Sequence, residues 1–112
     1  MNVLTAIYDY SEGVLTVKLN GEIDHHSVRD IRSEIDRQIC FYRAREVTLD
    51  LESVSFMDSS GLGLILGRYT RVKENGGNLK VSNPGKSAFR VLKLAGTDKL
   101  IPIVFTSTKN TD

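Results

Sequence analysis

Hydrophobic residues in this chain follow two different periods, and the order of those periods limits the fold more than any other feature. Apolar and polar residues alternate, as in half-buried strands, over 3–8, 15–19, 47–51 and 79–81. Apolar residues recur every three or four positions, as in amphipathic helices, over 28–39 and 88–95. A further helix is predicted from Ser60 to Asn75, because Gly76-Gly77 suits its end.

These elements predict the order β-β-α-β-α-β-α-β and a single α/β domain over residues 1–112. The first two strands form an antiparallel hairpin, and the later strands are parallel because each connection holds a helix. Strands with one polar face argue against a sheet that is covered on both sides. We therefore expect a mixed sheet with helices mainly on one face. Residues 106–112 are expected to be a loose tail.

Local turn signals predict where several elements end. Asp9–Gly13 is expected to be the hairpin turn, and Asn20-Gly21 the end of the second strand. Asn83 is expected to cap the third helix, with Pro84 in its first turn. The last strand is predicted over 101–105, at a sheet edge because Pro102 lies within it.

The 112 residues include fifteen basic and fourteen acidic side chains, for a formal net charge of +1. This balance argues against nucleic-acid and membrane-surface binding, which need a basic face. Cys40 is the only cysteine, so no internal disulfide can form, and a reducing cytoplasm fits best. We expect no signal peptide and no membrane span.

The segment from Phe56 to Gly63 joins the third strand to the second helix and holds two serines and two glycines. Loops after parallel strands are common binding sites in α/β sheets. The free N–H groups of a helix start can also stabilise an anion. Asp58, Ser59 and Ser60 are ordinary N-cap residues, but glycines early in a helix each cost about 1 kcal/mol. We therefore expect a close backbone approach at this point.

The segment Met57–Gly63 resembles the phosphorylation-loop motif of the anti-sigma factor antagonists, the bacterial branch of the STAS domain family. Leu19–Asp24 is similar to the second strand and following loop of that family, and Ile65–Tyr69 continues the resemblance. The pair His25-His26 is similar to the sporulation members. Family members usually continue into a C-terminal helix, which in this sequence is expected to be short or absent after Phe105.

The resemblance implies partner switching rather than enzymatic activity. The unphosphorylated antagonist binds an anti-sigma factor, which is also a serine kinase, and frees the sigma factor. Phosphorylation of Ser59 inactivates the antagonist, and a metal-dependent serine phosphatase reverses it. ATP and metal belong to those partners, so no cofactor is expected here. The surface expected to bind the partner comprises Asp24, His25, His26, Ser27, Asp58, Ser59, Ser60, Gly61, Leu62 and Gly63.

An alternative is a small nucleotide-binding domain that uses a Gly61-Gly63-Gly67 turn, although a glycine turn alone is a weak signal. A hydrolase built on Ser59 and the neighbouring histidines is less favoured, because Ser59 lacks the Gly-x-Ser-x-Gly pattern. The aspartates do not have a spacing that would force them into a metal site.

Overall fold

The computed structural model describes residues 3–106, over which five β-strands and three α-helices follow the predicted order. The tail expected at 106–112 therefore lies outside the described residues, apart from Thr106, and so does any helix after it. A 3-10 turn at Thr97–Lys99 was not predicted. The elements are β1 (Thr5–Ser11), β2 (Val14–Ile23), α1 (Val28–Tyr42), β3 (Glu46–Met57), α2 (Ser60–Glu74), β4 (Asn78–Ser82), α3 (Lys86–Leu94) and β5 (Ile103–Val104).

The sheet has the strand order β1-β2-β3-β4-β5, with β1 antiparallel to β2 and the other neighbours parallel. This confirms the predicted mixed sheet. Each helical connection advances by one strand in the same direction. Because such crossovers are right-handed, all three helices pack against the same face of the sheet.

The core lies between that face and the helices. Leu15, Val17 and Leu19 of β2 are fully buried, and the helices contribute residues such as Ile35 and Ile65. Each such side chain contributes about 1.5–3 kcal/mol when it is removed from water. The opposite face carries polar side chains at paired positions, among them Thr16, Lys18, Thr48, Asp50 and Lys80. One apolar and one polar face per strand is the reason the helices occupy one side.

The hairpin turn is shorter than predicted. Asp9 to Ser11 belong to β1, and only Glu12 and Gly13 connect the strands, with φ values of 53° and 81°. Positive φ at both central residues matches the right-handed twist of a two-residue hairpin, so the five-residue turn prediction was wrong.

The strands β2 and β3 run further than predicted because β3 contains two bulges. Lys18 pairs with Asp50, but Asn20 pairs with Ser53, so β3 has one extra residue there. A second extra residue lies between the pairs of Gly21 and Glu22. The expected end of β2 at Asn20-Gly21 was therefore wrong, and both strands continue to Ile23 and Met57. Phe56 and Met57 belong to the strand rather than to the following loop.

The third helix begins later than the Asn-Pro signal predicted. Its N-cap is Gly85, whereas Asn83 adopts a left-handed conformation with a φ of 54°. The side chain of Asn83 accepts a hydrogen bond from the backbone N–H of Thr106 at 2.9 Å. Asn83 therefore holds the segment that follows β5 instead of capping α3. The last strand is shorter than expected, but it lies at the predicted sheet edge.

Candidate functional site

Two segments predicted to share a surface lie side by side at the carboxyl end of the sheet. Ile23 and Met57, the last residues of β2 and β3, are paired in the parallel register. The backbone N–H of Asp58 donates to the carbonyl of Ile23 at 3.1 Å. The residues that follow are named here the 24–27 loop and the 58–63 segment.

The 24–27 loop is held by hydrogen bonds between its own ends. Oδ1 of Asp24 accepts from the backbone N–H groups of His26 and Ser27, both at 3.0 Å. The hydroxyl of Ser27 accepts from the N–H of Asp24 and donates to the carbonyl of Glu22, both at 3.0 Å. The hydrogen bond from the Ser27 N–H is the main reason that the pKa of Asp24 lies below its ordinary value. Asp24 is therefore ionised at neutral pH.

The two histidines of this loop point away from the core. His25 and His26 are exposed, and their rings meet edge to face with centroids 5.5 Å apart. Val28, which follows, opens α1 with a half-buried side chain. The loop thus presents two exposed rings next in sequence to the hydrogen-bonded carboxylate of Asp24.

The 58–63 segment is organised by Asp58 rather than by Ser59. Oδ1 of Asp58 accepts from the N–H of Ser60 at 2.8 Å, and its carbonyl accepts from the N–H of Gly61 at 3.0 Å. Ser59 occupies the N-cap position of α2 but has helical backbone angles, and its side chain makes no capping bond. Within residues 3–106, no hydrogen bond of the Ser59 hydroxyl is found, and the residue is exposed. Ser60 is half-buried.

Internal packing requires a glycine at one position of this segment but not at the others. Gly61 is buried, and a Cβ there would clash with the side chain of Met57. The expected close approach at Gly61 is therefore made inside the protein. Apart from its chain neighbours and the nearby backbone of α2, a Cβ on Gly63 or Gly67 would meet no heavy atom of the described residues within 4 Å. Packing within the described chain thus explains Gly61 but not Gly63 or Gly67.

An ion pair between two helices holds the position of α2. Nε of Arg68 lies 2.8 Å from Oδ1 of Asp36 on α1, and Arg68 is only 6% exposed. Burial lowers the pKa of Arg68, while the charge of Asp36 opposes that shift. The resemblance included Arg68, but it gave no indication of this partner.

The first turn of α3 also contacts the site, which sequence reasoning missed. The hydroxyl of Ser87 accepts from the N–H of Met57 at 3.0 Å and lies 3.2 Å from its carbonyl oxygen. Beside this contact is a shallow groove of about 820 Å³ whose lining includes Phe56, Asp58, Lys86 and Phe89. No local sequence pattern could have predicted the contact between Ser87 and Met57, because the two residues are thirty positions apart.

The glycine-turn alternative is not favoured by this geometry. Gly61, Gly63 and Gly67 all lie within α2, and only Asp58 and Ser59 stand between the strand and that helix. The described part of the chain holds no cluster of three or more histidine, cysteine, aspartate or glutamate side chains suited to a metal ion. Over residues 3–106, no helix is long and apolar enough to cross a membrane.

Comparison with known proteins gives this arrangement a context. An anti-sigma F factor antagonist from Paenibacillus polymyxa is 39% identical over 95 residues, which cover 85% of this chain and 81% of that protein. The solved structure of the anti-sigma factor antagonist SpoIIAA in its unphosphorylated form has a TM-score of 0.79 at 28% identity. The superposed region covers 93% of this chain and 90% of the SpoIIAA chain.

The Bacillus cell fate determinant SpoIIAA in its phosphorylated form is also similar. Its TM-score is 0.73 at 28% identity, and 93% of each chain is covered. The STAS domain itself matches residues 6–110, from the first strand to beyond the last. A match of that extent, on a sheet with the same architecture, makes this chain a member of the STAS domain family.

Proposed function

We propose that this protein is an anti-sigma factor antagonist that is switched off by phosphorylation of Ser59. The unphosphorylated form binds an anti-sigma factor with serine kinase activity, and the sigma factor is released. The names of the relatives support this role, since both the Paenibacillus protein and SpoIIAA are called antagonists. The anti-sigma F name of the former favours sporulation as the process.

The observation that carries the proposal for Ser59 is its exposed hydroxyl at the start of α2, without a hydrogen-bond partner among residues 3–106. A kinase can reach this oxygen without first breaking an internal bond. Ser60 is half-buried, and its N–H is held by the carboxylate of Asp58. The difference in access favours Ser59 as the acceptor over Ser60.

Phosphorylation would act through charge at the interface. A phosphoserine adds a charge of about −1.5 to −2 at neutral pH. The helix start favours this charge by about 0.3–1 kcal/mol at an exposed site, and nearby Asp58 opposes it. The fold therefore gains or loses little. A partner packed over the segment would have to desolvate a dianion beside a carboxylate, which is strongly unfavourable without a pairing cation.

The partner surface in this proposal combines the 24–27 loop with the 58–63 segment. Asp24 is ionised and held in place, so it suits a basic residue of the partner. Exposed Gly63 leaves space for close backbone contact. A metal-dependent serine phosphatase would reset the cycle, and ATP and metal would be bound by those partners. We propose that the chain binds these partners in the cytoplasm and performs no catalysis itself.

The test is phosphopeptide mapping after incubation with the cognate anti-sigma factor kinase and ATP. We expect one phosphate on Ser59, no labelling of Ser59→Ala, and labelling of the matched variant Ser60→Ala. Label that persists in Ser59→Ala and disappears in Ser60→Ala would assign the acceptor to Ser60. A wild-type chain that neither binds the anti-sigma factor nor accepts phosphate would contradict the proposed function.

A further inference from the structure

The strand that leads to Ser59 extends well beyond its neighbour on one side. The last pair between β3 and β4 is Asp50 with Ser82, whereas β3 continues to Met57. Among residues 3–106, the only strand paired with β3 over that extension is β2, which ends at Ile23. Backbone groups on the other edge must find different partners, since unpaired buried polar groups are costly.

One side chain provides those partners at the end of the strand. The hydroxyl of Ser87 accepts a hydrogen bond from the N–H of Met57 at 3.0 Å and donates to its carbonyl at 3.2 Å. In a parallel strand, both backbone groups of a residue point to the same side, so one hydroxyl can serve both. Ser87 thus takes the place of a strand residue that β4 does not supply.

The residue held in this way controls the geometry of the acceptor. Met57 is 1% exposed, and its side chain fills the space where a Cβ of Gly61 would lie. It is followed directly by Asp58, whose carboxylate organises the first turn of α2. A displacement of Met57 would therefore move both the backbone before Ser59 and the helix after it.

We propose that Ser87 is a positioning residue, which holds Met57 so that the Ser59 hydroxyl is presented in the orientation that the kinase requires. This inference rests on the proposed function, because it assigns Ser87 a role in that phosphorylation. It also makes the first turn of α3 part of the acceptor site. Ser87 itself need not contact the kinase or ATP.

The first experiment measures structure without any partner. Amide hydrogen exchange is compared for the wild type, Ser87→Ala and Ser87→Thr. We expect exchange at Met57 to be about tenfold faster in Ser87→Ala, the equivalent of one lost hydrogen bond, with unchanged exchange at Leu49. Ser87→Thr keeps the hydroxyl and should restore protection. Unchanged exchange at Met57 in Ser87→Ala would overturn the proposal.

The second experiment measures phosphorylation kinetics with the anti-sigma factor kinase. We expect Ser87→Ala to lower kcat by about tenfold at similar KM. The Ser59 hydroxyl would be misplaced, whereas the 24–27 loop, which contributes to binding, would be intact. Ser87→Thr should recover most of the rate. The matched control is Ser55→Ala, which removes an exposed hydroxyl of β3 whose hydrogen bond, to the carbonyl of Gly21, is long at 3.4 Å. This variant should be phosphorylated at the wild-type rate.

The outcomes separate the two claims. Faster exchange at Met57 with unchanged kcat would overturn the positioning role and leave the proposed function standing. An equal loss of rate in Ser55→Ala would also overturn it, since the effect would not be specific to Ser87. A wild-type chain that accepts no phosphate from the kinase would overturn the proposed function and the positioning role together.

Discussion

The 24–27 loop and the 58–63 segment follow adjacent parallel strands, and both contain an aspartate and a serine near a helix start. In the first, Asp24 and Ser27 hydrogen-bond to the backbone of each other, so both side chains are occupied. In the second, Asp58 alone holds the turn, and the Ser59 hydroxyl makes no bond within the described chain. The same residue types thus form a fixed loop in one place and, among the described residues, leave an exposed hydroxyl without a hydrogen bond in the other.

The largest expected effect tests whether that free hydroxyl is the switch. Phosphorylation of Ser59 should weaken anti-sigma factor binding by about 100-fold or more, because the interface must bury a dianion. Unfolding free energy should change by no more than about 0.5 kcal/mol, as for an ordinary surface change. Calorimetric titration and thermal melts of both forms measure this. Ser59→Ala should bind and not be released by kinase and ATP, and Ser59→Asp should be partly impaired.

A large loss of melting temperature or helix content on phosphorylation would contradict the charge mechanism. It would mean that the 58–63 segment refolds when modified, and the contrast with the fixed loop would then be one of stability rather than of access.

The next effect separates the two glycines of the 58–63 segment. Gly61→Ala should lower the unfolding free energy by about 1–3 kcal/mol, because its methyl group overpacks against Met57. Gly63→Ala has open space and removes a helix glycine, so it should stabilise the fold by about 0.5–1 kcal/mol. We expect the same variant to bind the anti-sigma factor more weakly. Denaturant unfolding and binding titrations give both quantities, and unimpaired binding would remove Gly63 from the interface.

A smaller effect asks whether the 24–27 loop contributes charge or only shape. Asp24→Asn keeps an oxygen that can accept the bonds from His26 and Ser27, but it loses the charge. We expect it to weaken binding by about tenfold, with a reduced salt dependence, as expected for loss of a charge pair at an interface. Asp24→Ala should be at least as weak. Wild-type affinity in Asp24→Asn combined with a loss in Asp24→Ala would show that only the turn matters.

The smallest effect is the pH response of the same loop. Because the pKa of Asp24 is lowered by the Ser27 N–H, its ionised form stabilises the folded state at pH values above the ordinary aspartate pKa. That contribution is lost as the pH falls through the lowered value. The amide signals of His26 and Ser27 should therefore shift together, with a midpoint below the ordinary range, and Asp24→Asn should abolish the shift. A midpoint at or above the ordinary value would contradict the hydrogen-bonded loop.

The sequence predicted the elements well because their order depends on local hydrophobic periods. It failed where one contact overrides a local signal. Asn83-Pro84 has the form of a helix cap, but the side chain of Asn83 is bound to Thr106, twenty-three residues away. The alternation in β3 ends at Leu51 in the sequence, so the strand beyond it could not be predicted.

The candidate site also contains residues that the sequence indicated and residues that it did not. The resemblance brought together Asp24 and Ser59 because it covers whole loops, and the structure places those loops on adjacent strands. Ser87 carried no signal, since a serine in the first turn of a helix is unremarkable. The reason for Gly61 was also hidden, because it depends on how the side chain of Met57 packs.

The two bulges of β3 keep one face of the strand buried up to Met57, although its buried residues are not spaced by even numbers. A strand turns alternate residues to opposite faces, so one extra residue would exchange the faces of everything that follows unless a bulge absorbs it. Leu51, Val54 and Met57 are all buried although each pair is separated by three residues, an odd number. Each bulge therefore absorbs one extra residue of β3 and keeps the residues that follow on their original faces. Deleting one residue between Val54 and Phe56 would make the spacing between Val54 and Met57 even, so Met57 would stay paired with Ile23 on the buried face without a bulge. The bulges, rather than simple alternation, therefore keep Met57 buried directly before Asp58 and Ser59.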